Sequence, residues 1–220
     1  MNGPTHTVAT GLDRDSVSEL TAARLCVYLR CLTALEAEGL THVSSHDFAR
    51  RFQLNSAQMR KDLAIFGELG IRGVGYEVGK LRRHLRSLLG LDADRAVAIV
   101  GAGHLGQALA DYGGFRSGGF LPVGLFDNDP RKIGTRTRSG VPVYDVTRLP
   151  EIVSRERIEI GVITVPASAA QEVARRCFEA GLRAILNFAP VRVRAPADVR
   201  LKNVDLRINL ETLSFYLKKP

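Results

Sequence analysis

The sequence predicts an α/β protein: a winged helix-turn-helix domain over residues 16–90, followed over residues 91–203 by a Rossmann fold, a doubly wound parallel sheet. Three observations predict it. Helical patterns and a glycine-rich segment fill the first region, short apolar runs alternate with helical patterns in the second, and one of those runs leads directly into the glycine loop GAGHLG. Residues 1–15 have no periodic pattern and are predicted to be a flexible arm, and residues 204–220 are predicted to form a terminal helix.

The first predicted helix spans Ser16 to Glu38. Ser16 and Glu19 form a capping-box pattern, and Gly39 ends the run. The apolar residues between them recur at helical spacing, which predicts a buried face: Leu25, Tyr28, Leu29, Leu32 and Leu35.

Two shorter helices follow and make the helix-turn-helix. The first is capped by Ser44 and ends near Phe52, and the second runs from Ser56 to about Phe66. Met59, Leu63 and Phe66 share the inward face of the second helix. Its other face carries residue types that read base edges in the major groove, so the predicted DNA-contacting residues here are Ser56, Ala57, Gln58, Arg60 and Lys61. A generic amphipathic helix with a solvated polar face is the alternative.

A glycine-rich stretch, Ile71 to Val78, is predicted to form a hairpin, and a hairpin after a recognition helix is a wing. Arg72, near its tip, is predicted to enter the minor groove or bind phosphate. A connecting helix, Lys80 to Leu89, follows. Between Arg50 and Arg86 there are nine basic residues and three acids, which is most of the chain's net charge of +8 and favours a polyanionic partner.

The glycine loop and one acid predict a dinucleotide site. Gly101 permits a tight turn, Gly103 lets backbone N–H groups approach a pyrophosphate, and Gly106 lets the following helix pack closely on its strand. Asp127, at the end of the next strand, is placed to accept the ribose hydroxyls of adenosine. A plain strand-to-helix turn is the alternative.

Further predicted strands are Leu121–Asp127, Val141–Tyr144, Ile158–Val165 and Ala184–Asn187, separated by helices at Val146–Arg155 and Ser168–Ala180. The sheet is expected to be complete at Asn187. Because cofactors bind at the carboxyl ends of such strands, the residues predicted to bind the cofactor are Gly101, Ala102, Gly103, His104, Leu105, Gly106, Asp127, Lys132, Thr164, Val165, Pro166 and Phe188.

The last segment carries a stripe of leucines at helical spacing: Leu206, Leu210, Leu213 and Leu217. The alternation of Val204, Leu206 and Ile208 equally fits the start of a strand. A helix with this apolar stripe is expected to pack against another surface, either that of its own domain or that of the second subunit of a homodimer.

Composition excludes several classes. No apolar stretch approaches the length of a membrane span and the N-terminal residues lack the apolar core of a secretory signal, so a cytoplasmic protein is expected. Cys26, Cys31 and Cys177 form no CxxC pair and are expected to be buried apolar residues, with a thiol redox sensor as the alternative. His42 and His46 have the spacing of a metal pair but no third ligand, so no metal is predicted.

Several motifs from Ser16 onward are long enough to be specific. They are SAQMRKDLAIFGELGIRGVGYEV (56–78), IVGAGHLGQALADY (99–112), LFDNDPRKIG (125–134), ILNFAP (185–190), and NVDL with LSFYL near the end. Through them the chain resembles the Rex family of redox-sensing transcriptional repressors. The resemblance implies a homodimer with a domain-swapped terminal helix that binds double-stranded operator DNA with an inverted repeat. It implies release by NADH, with NAD+ as the competitor that permits DNA binding, and a polar switch contact between Arg30, Tyr112 and Asp205 of the partner subunit.

The residues suggest how redox state is read. NAD+ has a positively charged nicotinamide ring and NADH a neutral one, so a pocket lined by Pro166, Phe188, Ala189 and Pro190 imposes a desolvation cost on the oxidised form only. We hypothesise that NADH closes the dimer and so moves the two recognition helices off their half-sites. Two alternatives remain: an NAD-dependent oxidoreductase, for which no general acid or base and no substrate domain are evident, and a constitutive DNA-binding protein with a structural nucleotide.

Overall fold

A computed structural model describes residues 17–67, 69–71 and 73–217. The chain divides into two compact units, with the boundary between Asp92 and Ala93. Within the described residues, no helix combines the length and the apolar character needed to cross a membrane.

The first unit is mainly helical. Its elements are α1 (Glu19–Ala37), β1 (His42–Val43), α2 (Ser45–Phe52), α3 (Ser56–Ala64), β2 (Tyr76–Glu77) and α4 (Val78–Leu88). The predicted cap Ser16 lies outside the described residues; the structure caps α1 with Ser18, whose Oγ accepts the Thr21 N–H at 3.2 Å. The turn between α2 and α3 is tight because Gln53 adopts a left-handed conformation (φ 54°) and Asn55 caps α3 by accepting the Gln58 N–H.

The core of this unit lies between α1, α3 and α4. Met59 and Leu63 are buried as predicted, and Phe66 packs against the same core from beyond the end of α3. Helices α1 and α4 contribute Leu25, Leu32, Leu35, Leu81 and Leu85 to this core, and α2 contributes Phe48. The packing therefore leaves the face of α3 that carries Ala57 and Lys61 in solvent.

The wing differs from the predicted hairpin. Ile71 and Gly75 exchange two backbone hydrogen bonds of 2.9 Å around a tight turn, but the returning arm, β2, pairs antiparallel with β1. Gly75 has φ +99°, and a Cβ there would lie 2.4 Å from the Val43 carbonyl oxygen, so this crossing requires glycine. The predicted DNA contact Arg72 lies outside the described residues.

The second unit is a six-stranded parallel sheet. Its strands are β3 (Arg95–Val100), β4 (Phe120–Asp127), β5 (Val143–Asp145), β6 (Ile160–Ile163), β7 (Ala184–Asn187) and β8 (Arg200–Asn203), in the order β5-β4-β3-β6-β7-β8. The strand order reverses direction between β3 and β6, which defines the switch point at which open α/β sheets bind ligands. The predicted fold class is confirmed.

Helices cover both faces of this sheet: α5 (His104–Ala110), α6 (Gly113–Ser117), α7 (Leu149–Arg155) and α8 (Ala167–Glu179), followed by α9 (Leu206–Leu217). One apolar cluster joins α7 and α8 to the sheet, and a second lies on the α5 face. Segment 206–217 is thus a helix, not the start of a strand.

In this unit one expectation needs correction, one helix was missed, and one predicted helix has a 3-10 first turn. The sheet does not end at Asn187, because β8 pairs with β7 and Asn187 Nδ2 donates to Asn203 Oδ1 at 2.9 Å. Helix α6 was not predicted. The predicted helix at Val146–Arg155 is present: a 3-10 turn over Val146–Arg148 leads into α7, which begins at Leu149 and has Pro150 in its first turn.

Candidate nucleotide and nucleic-acid sites

The glycine loop after β3 is built by close backbone contacts. Gly101 has φ +109° and donates its N–H to the Phe126 carbonyl at 2.7 Å. A Cβ on Gly106 would lie 1.9 Å from the Gly101 carbonyl oxygen, so α5 approaches the loop as closely as backbone allows. A Cβ on Gly103 would meet nothing within 4 Å, so the space in front of this residue is open. The three glycines thus have the three geometries that a pyrophosphate loop needs.

Asp127 ties the end of β4 to this loop. Its Oδ2 accepts the Ala102 N–H at 2.7 Å and the Lys132 ammonium at 3.1 Å, and its Oδ1 accepts the Asp129 N–H at 2.9 Å. Burial raises the pKa of Asp127, but the hydrogen bonds from Asp129, Ala102 and Lys132 outweigh it, so the pKa lies below its usual value. The carboxylate is therefore charged at neutral pH.

A cavity of about 850 Å³ opens at the switch point. Its lining includes most of the residues predicted to bind the cofactor: Gly101, Gly103, His104, Leu105, Asp127, Lys132, Thr164, Val165, Pro166 and Phe188. Ala102 and Gly106 do not line it; both are buried, and they act through the backbone contacts described above. The volume is in the range of ligand sites.

Sequence reasoning missed one wall of the cavity. This wall comes from the turns after β4 and β5 and from α8, and consists of Asn128, Val146, Ser168, Ala169, Glu172, Val173 and Arg176. The signal was available, because α8 follows β6 at the switch point and its first turns must face the crevice. Pro190 lines the cavity as the apolar-pocket hypothesis expects, whereas Ala189 is buried in the core.

On α3, the predicted DNA-contacting residues separate into two groups. Ala57, Arg60 and Lys61 are exposed, and Ser56 starts the helix half-buried. The Gln58 side chain is half-buried and donates its Nε2 to Asp62 Oδ1 at 2.8 Å. Sequence reasoning overlooked Asp62, which is 1% exposed. Its position one turn after Gln58 indicates only that these two side chains can meet, and does not indicate that the carboxylate is buried.

Asp62 is paired with α1. Arg24 Nε and Nη2 donate to its two carboxylate oxygens at 2.6 and 2.8 Å, and the Tyr28 hydroxyl donates at 2.9 Å. The Arg24 guanidinium holds the pKa of Asp62 below its usual value. Burial, and then the hydrogen bond to Asp62, raises the pKa of Tyr28 to about 12. The group is thus a carboxylate hydrogen-bonded to a neutral phenol.

The three predicted switch residues lie on exposed surface. Arg30 is on α1 of the first unit. In the second unit Tyr112 precedes α6 and is 57% exposed, and Asp205 precedes α9, where its Oδ1 accepts the Arg207 N–H at 2.9 Å. All three are accessible to a partner chain.

The cysteines and histidines are possible metal ligands. Among the described residues, however, no group of three His, Cys, Asp or Glu side chains could hold a metal ion. Cys31 and Cys177 are buried, as expected, and burial raises the pKa of Cys177 to about 12. The expectation fails for Cys26, which is exposed on α1. His42 lies on β1 and His46 in α2, so they do not share a helix face.

Comparison with known proteins matches both units. Residues 16–64 match a family model described as a putative DNA-binding protein N-terminus, and residues 92–191 match one described as a CoA binding domain. Curated relatives include the redox-sensing transcriptional repressor Rex of Desulfitobacterium hafniense, 50% identical with 90% of this chain and 94% of the relative covered. Rex 1 of Thermotoga maritima is 42% identical, with 91% and 96% covered.

Solved structures agree. The crystal structure of RSP in complex with beta-NAD+ and operator DNA has a TM-score of 0.87 at 39% identity, and covers 91% of this chain and 92% of RSP. RSP, a Rex-family repressor, in complex with beta-NADH has a TM-score of 0.82 at 38% identity, with 92% and 94% covered. The resemblance drawn from the sequence motifs is confirmed, and the chain belongs to the Rex family of redox-sensing transcriptional repressors.

Proposed function

We propose that this chain is a regulator and not an enzyme: a transcriptional repressor that binds an inverted-repeat operator as a homodimer and releases it when NADH binds the second unit. The observation that carries the proposal is the match of both units to RSP, a protein crystallised with beta-NAD+ and operator DNA and also with beta-NADH. Through α3, and in particular Ser56, Ala57, Gln58, Arg60 and Lys61, the first unit reads the major groove.

The cavity at the switch point holds the dinucleotide. Backbone N–H groups of the glycine loop receive the pyrophosphate, and the charged Asp127 accepts adenosine ribose hydroxyls. Two nearby cations are already paired in the described structure: Lys132 with Asp127, and Arg131 with Asp129 through bonds of 3.0 and 2.8 Å. A 2′-phosphate would meet the Asp127 carboxylate instead of a free cation, so NAD(H) is preferred to NADP(H).

The nicotinamide end of the cavity is apolar. Pro166, Phe188 and Pro190 line it. The positively charged ring of NAD+ loses hydration against these apolar side chains, so NADH binds more tightly, and each tenfold of preference needs about 1.4 kcal/mol. Because NAD+ and NADH compete for the same cavity, this preference lets the ratio of NADH to NAD+, and not their total concentration, set the fraction of protein that holds NADH.

Release of DNA is a coupling between the two sites. Typical coupling free energies of about 1 to 3 kcal/mol weaken a second ligand about 5- to 150-fold. The test is fluorescence anisotropy of a labelled inverted-repeat operator at fixed salt, titrated in parallel with NADH, NAD+ and coenzyme A. NADH should release the DNA, whereas NAD+ alone should not. Coenzyme A serves as the control suggested by the matched domain model. DNA binding that is indifferent to all three ligands would contradict the proposal.

Single substitutions should separate the two activities. Lys61→Ala is expected to weaken operator binding about tenfold by removing one base or phosphate contact, with NADH affinity unchanged. Asp127→Ala is expected to weaken NADH about tenfold or more by removing a charged acceptor, with DNA affinity in the absence of nucleotide unchanged. Both variants are measured in both assays. Loss of both activities from either substitution in a folded protein would show that the sites are assigned wrongly.

A further inference from the structure

The carboxylate of Asp62 is fully saturated with hydrogen bonds. Oδ2 accepts from Arg24 Nε and the Tyr28 hydroxyl, and Oδ1 accepts from Arg24 Nη2 and Gln58 Nε2, at 2.6 to 2.9 Å. A carboxylate has about four acceptor sites, so no further donor is accommodated. Three of these donors are supplied by α1, and the fourth comes from the recognition helix itself.

This arrangement fixes which end of the Gln58 amide faces the protein. An ionised carboxylate only accepts hydrogen bonds, so the atom within 2.8 Å of Asp62 Oδ1 must be the amide nitrogen. Turning the amide over would place Gln58 Oε1 against a buried negative oxygen, which is repulsive. Asp62 is 1% exposed, so water does not relieve that repulsion.

We propose that Asp62 is a positioning residue for base recognition. It holds the Gln58 amide with its nitrogen toward the Asp62 carboxylate and its carbonyl oxygen toward the DNA. Gln58 then reads a base that offers an amino group in the major groove, adenine through N6 or cytosine through N4. Guanine and thymine offer no amino group on that edge to the Gln58 carbonyl oxygen and are disfavoured. This inference rests on the proposed function, in which α3 enters the major groove.

The first test measures binding of the wild-type protein to altered DNA, and it needs one variant, Gln58→Ala at an accessible position of α3, only to identify the contacted base pair. An operator is selected from a randomised inverted repeat, and the base pair whose discrimination is lost in Gln58→Ala identifies the contact. Replacing that adenine by purine, or that cytosine by 2-pyrimidinone, removes only the amino group. We expect binding to fall about 2- to 10-fold per half-site, the effect of one lost hydrogen bond. A selected base without a major-groove amino group, or no effect of removing it, overturns the inference.

The second test uses Asp62→Asn, which keeps the side-chain size but offers a donor as well as an acceptor. Gln58 is then free to turn over, so discrimination at its base pair should fall to the level of Gln58→Ala. In a Gln58→Ala background, Asp62→Asn should cause no further loss of that discrimination, because the two act on one contact. A purely structural role would instead weaken binding to every sequence equally, and that outcome overturns the inference.

The proposed function and the positioning role of Asp62 fail in different ways. A protein that binds no inverted repeat contradicts the proposed function, and the positioning role with it. If Gln58→Ala lowers affinity for all sequences by the same factor while the operator is still bound, only the positioning of Gln58 is overturned. Circular dichroism of each variant establishes whether it is folded. If the Asp62→Asn variant is unfolded, the base-analogue experiment decides the question.

Discussion

Gly106→Ala is expected to lower the affinity for NADH at least about 100-fold, a loss of about 2.7 kcal/mol in binding free energy. The added Cβ would lie 1.9 Å from the Gly101 carbonyl oxygen and 2.9 Å from Thr164 Oγ1. Because the first of these is a backbone atom, α5 must move away from β3, and the loop moves with it. Overpacking of this kind also costs about 3 kcal/mol of stability. Isothermal titration with NADH and a thermal melt measure the two effects.

Gly103→Ala is the matched control in the same loop. Gly103 has φ −76° and a Cβ there meets nothing within 4 Å, so the protein should melt as the wild type does. If the pyrophosphate occupies the open space in front of Gly103, this variant loses NADH affinity without losing stability. Wild-type NADH binding by Gly106→Ala would show that the close approach of α5 to the loop is not needed for the nucleotide.

The second large effect is expected from α9. Leu213→Glu should convert the proposed dimer to a monomer and lower operator affinity about 100- to 10,000-fold, since bivalent binding to two half-sites is lost. In a single chain the leucine stripe is 61 to 80% exposed, and Ile208 and Phe215, on the opposite side, are 58% and 77% exposed. A helix that is apolar on opposite sides is normally buried on both, which favours insertion into a partner subunit over docking on one surface. Light scattering and anisotropy measure the mass and the affinity.

Ser214→Glu is the control for this experiment. It adds the same charge one residue away, at a polar position between the two apolar sides of α9. It should remain dimeric and bind the operator. A dimeric Leu213→Glu protein with normal affinity would place the dimer contact elsewhere in the chain.

Features fixed by local backbone demands could be predicted from the sequence. The glycine loop and Asp127 were predictable because turn geometry, close helix approach and ribose recognition each require one residue type at one spacing. Helices α2 and α3 were predictable within two residues at either end, since Ser44 and Asn55 mark their starts. Strand β7 was predictable without error, from an apolar run that follows Gly181 and ends at Asn187.

Features that depend on contacts with residues distant in sequence could not be predicted. Strand β8 contains Arg200 and Lys202 and has no apolar run, so only its pairing with β7 reveals it. The wing pairs with β1, more than thirty residues earlier, and its own glycines indicate only that the chain turns. In the sequence Asp62 is indistinguishable from an ordinary surface acid because its partners, Arg24 and Tyr28, lie on another helix. The presence of an acidic residue in a sequence does not reveal that its side chain is buried.

The three hydrogen bonds already made by Asp127 limit how tightly the cavity holds its ligand. A carboxylate accepts about four hydrogen bonds, so one position is left for a ribose hydroxyl and a second hydroxyl must displace Lys132 or a backbone N–H. In the proposed function, that exchange offsets part of the free energy gained on nucleotide binding. A sensor that is always occupied cannot report a change in nucleotide concentration. The internal bonds of Asp127 thus help to set the operating range of the protein.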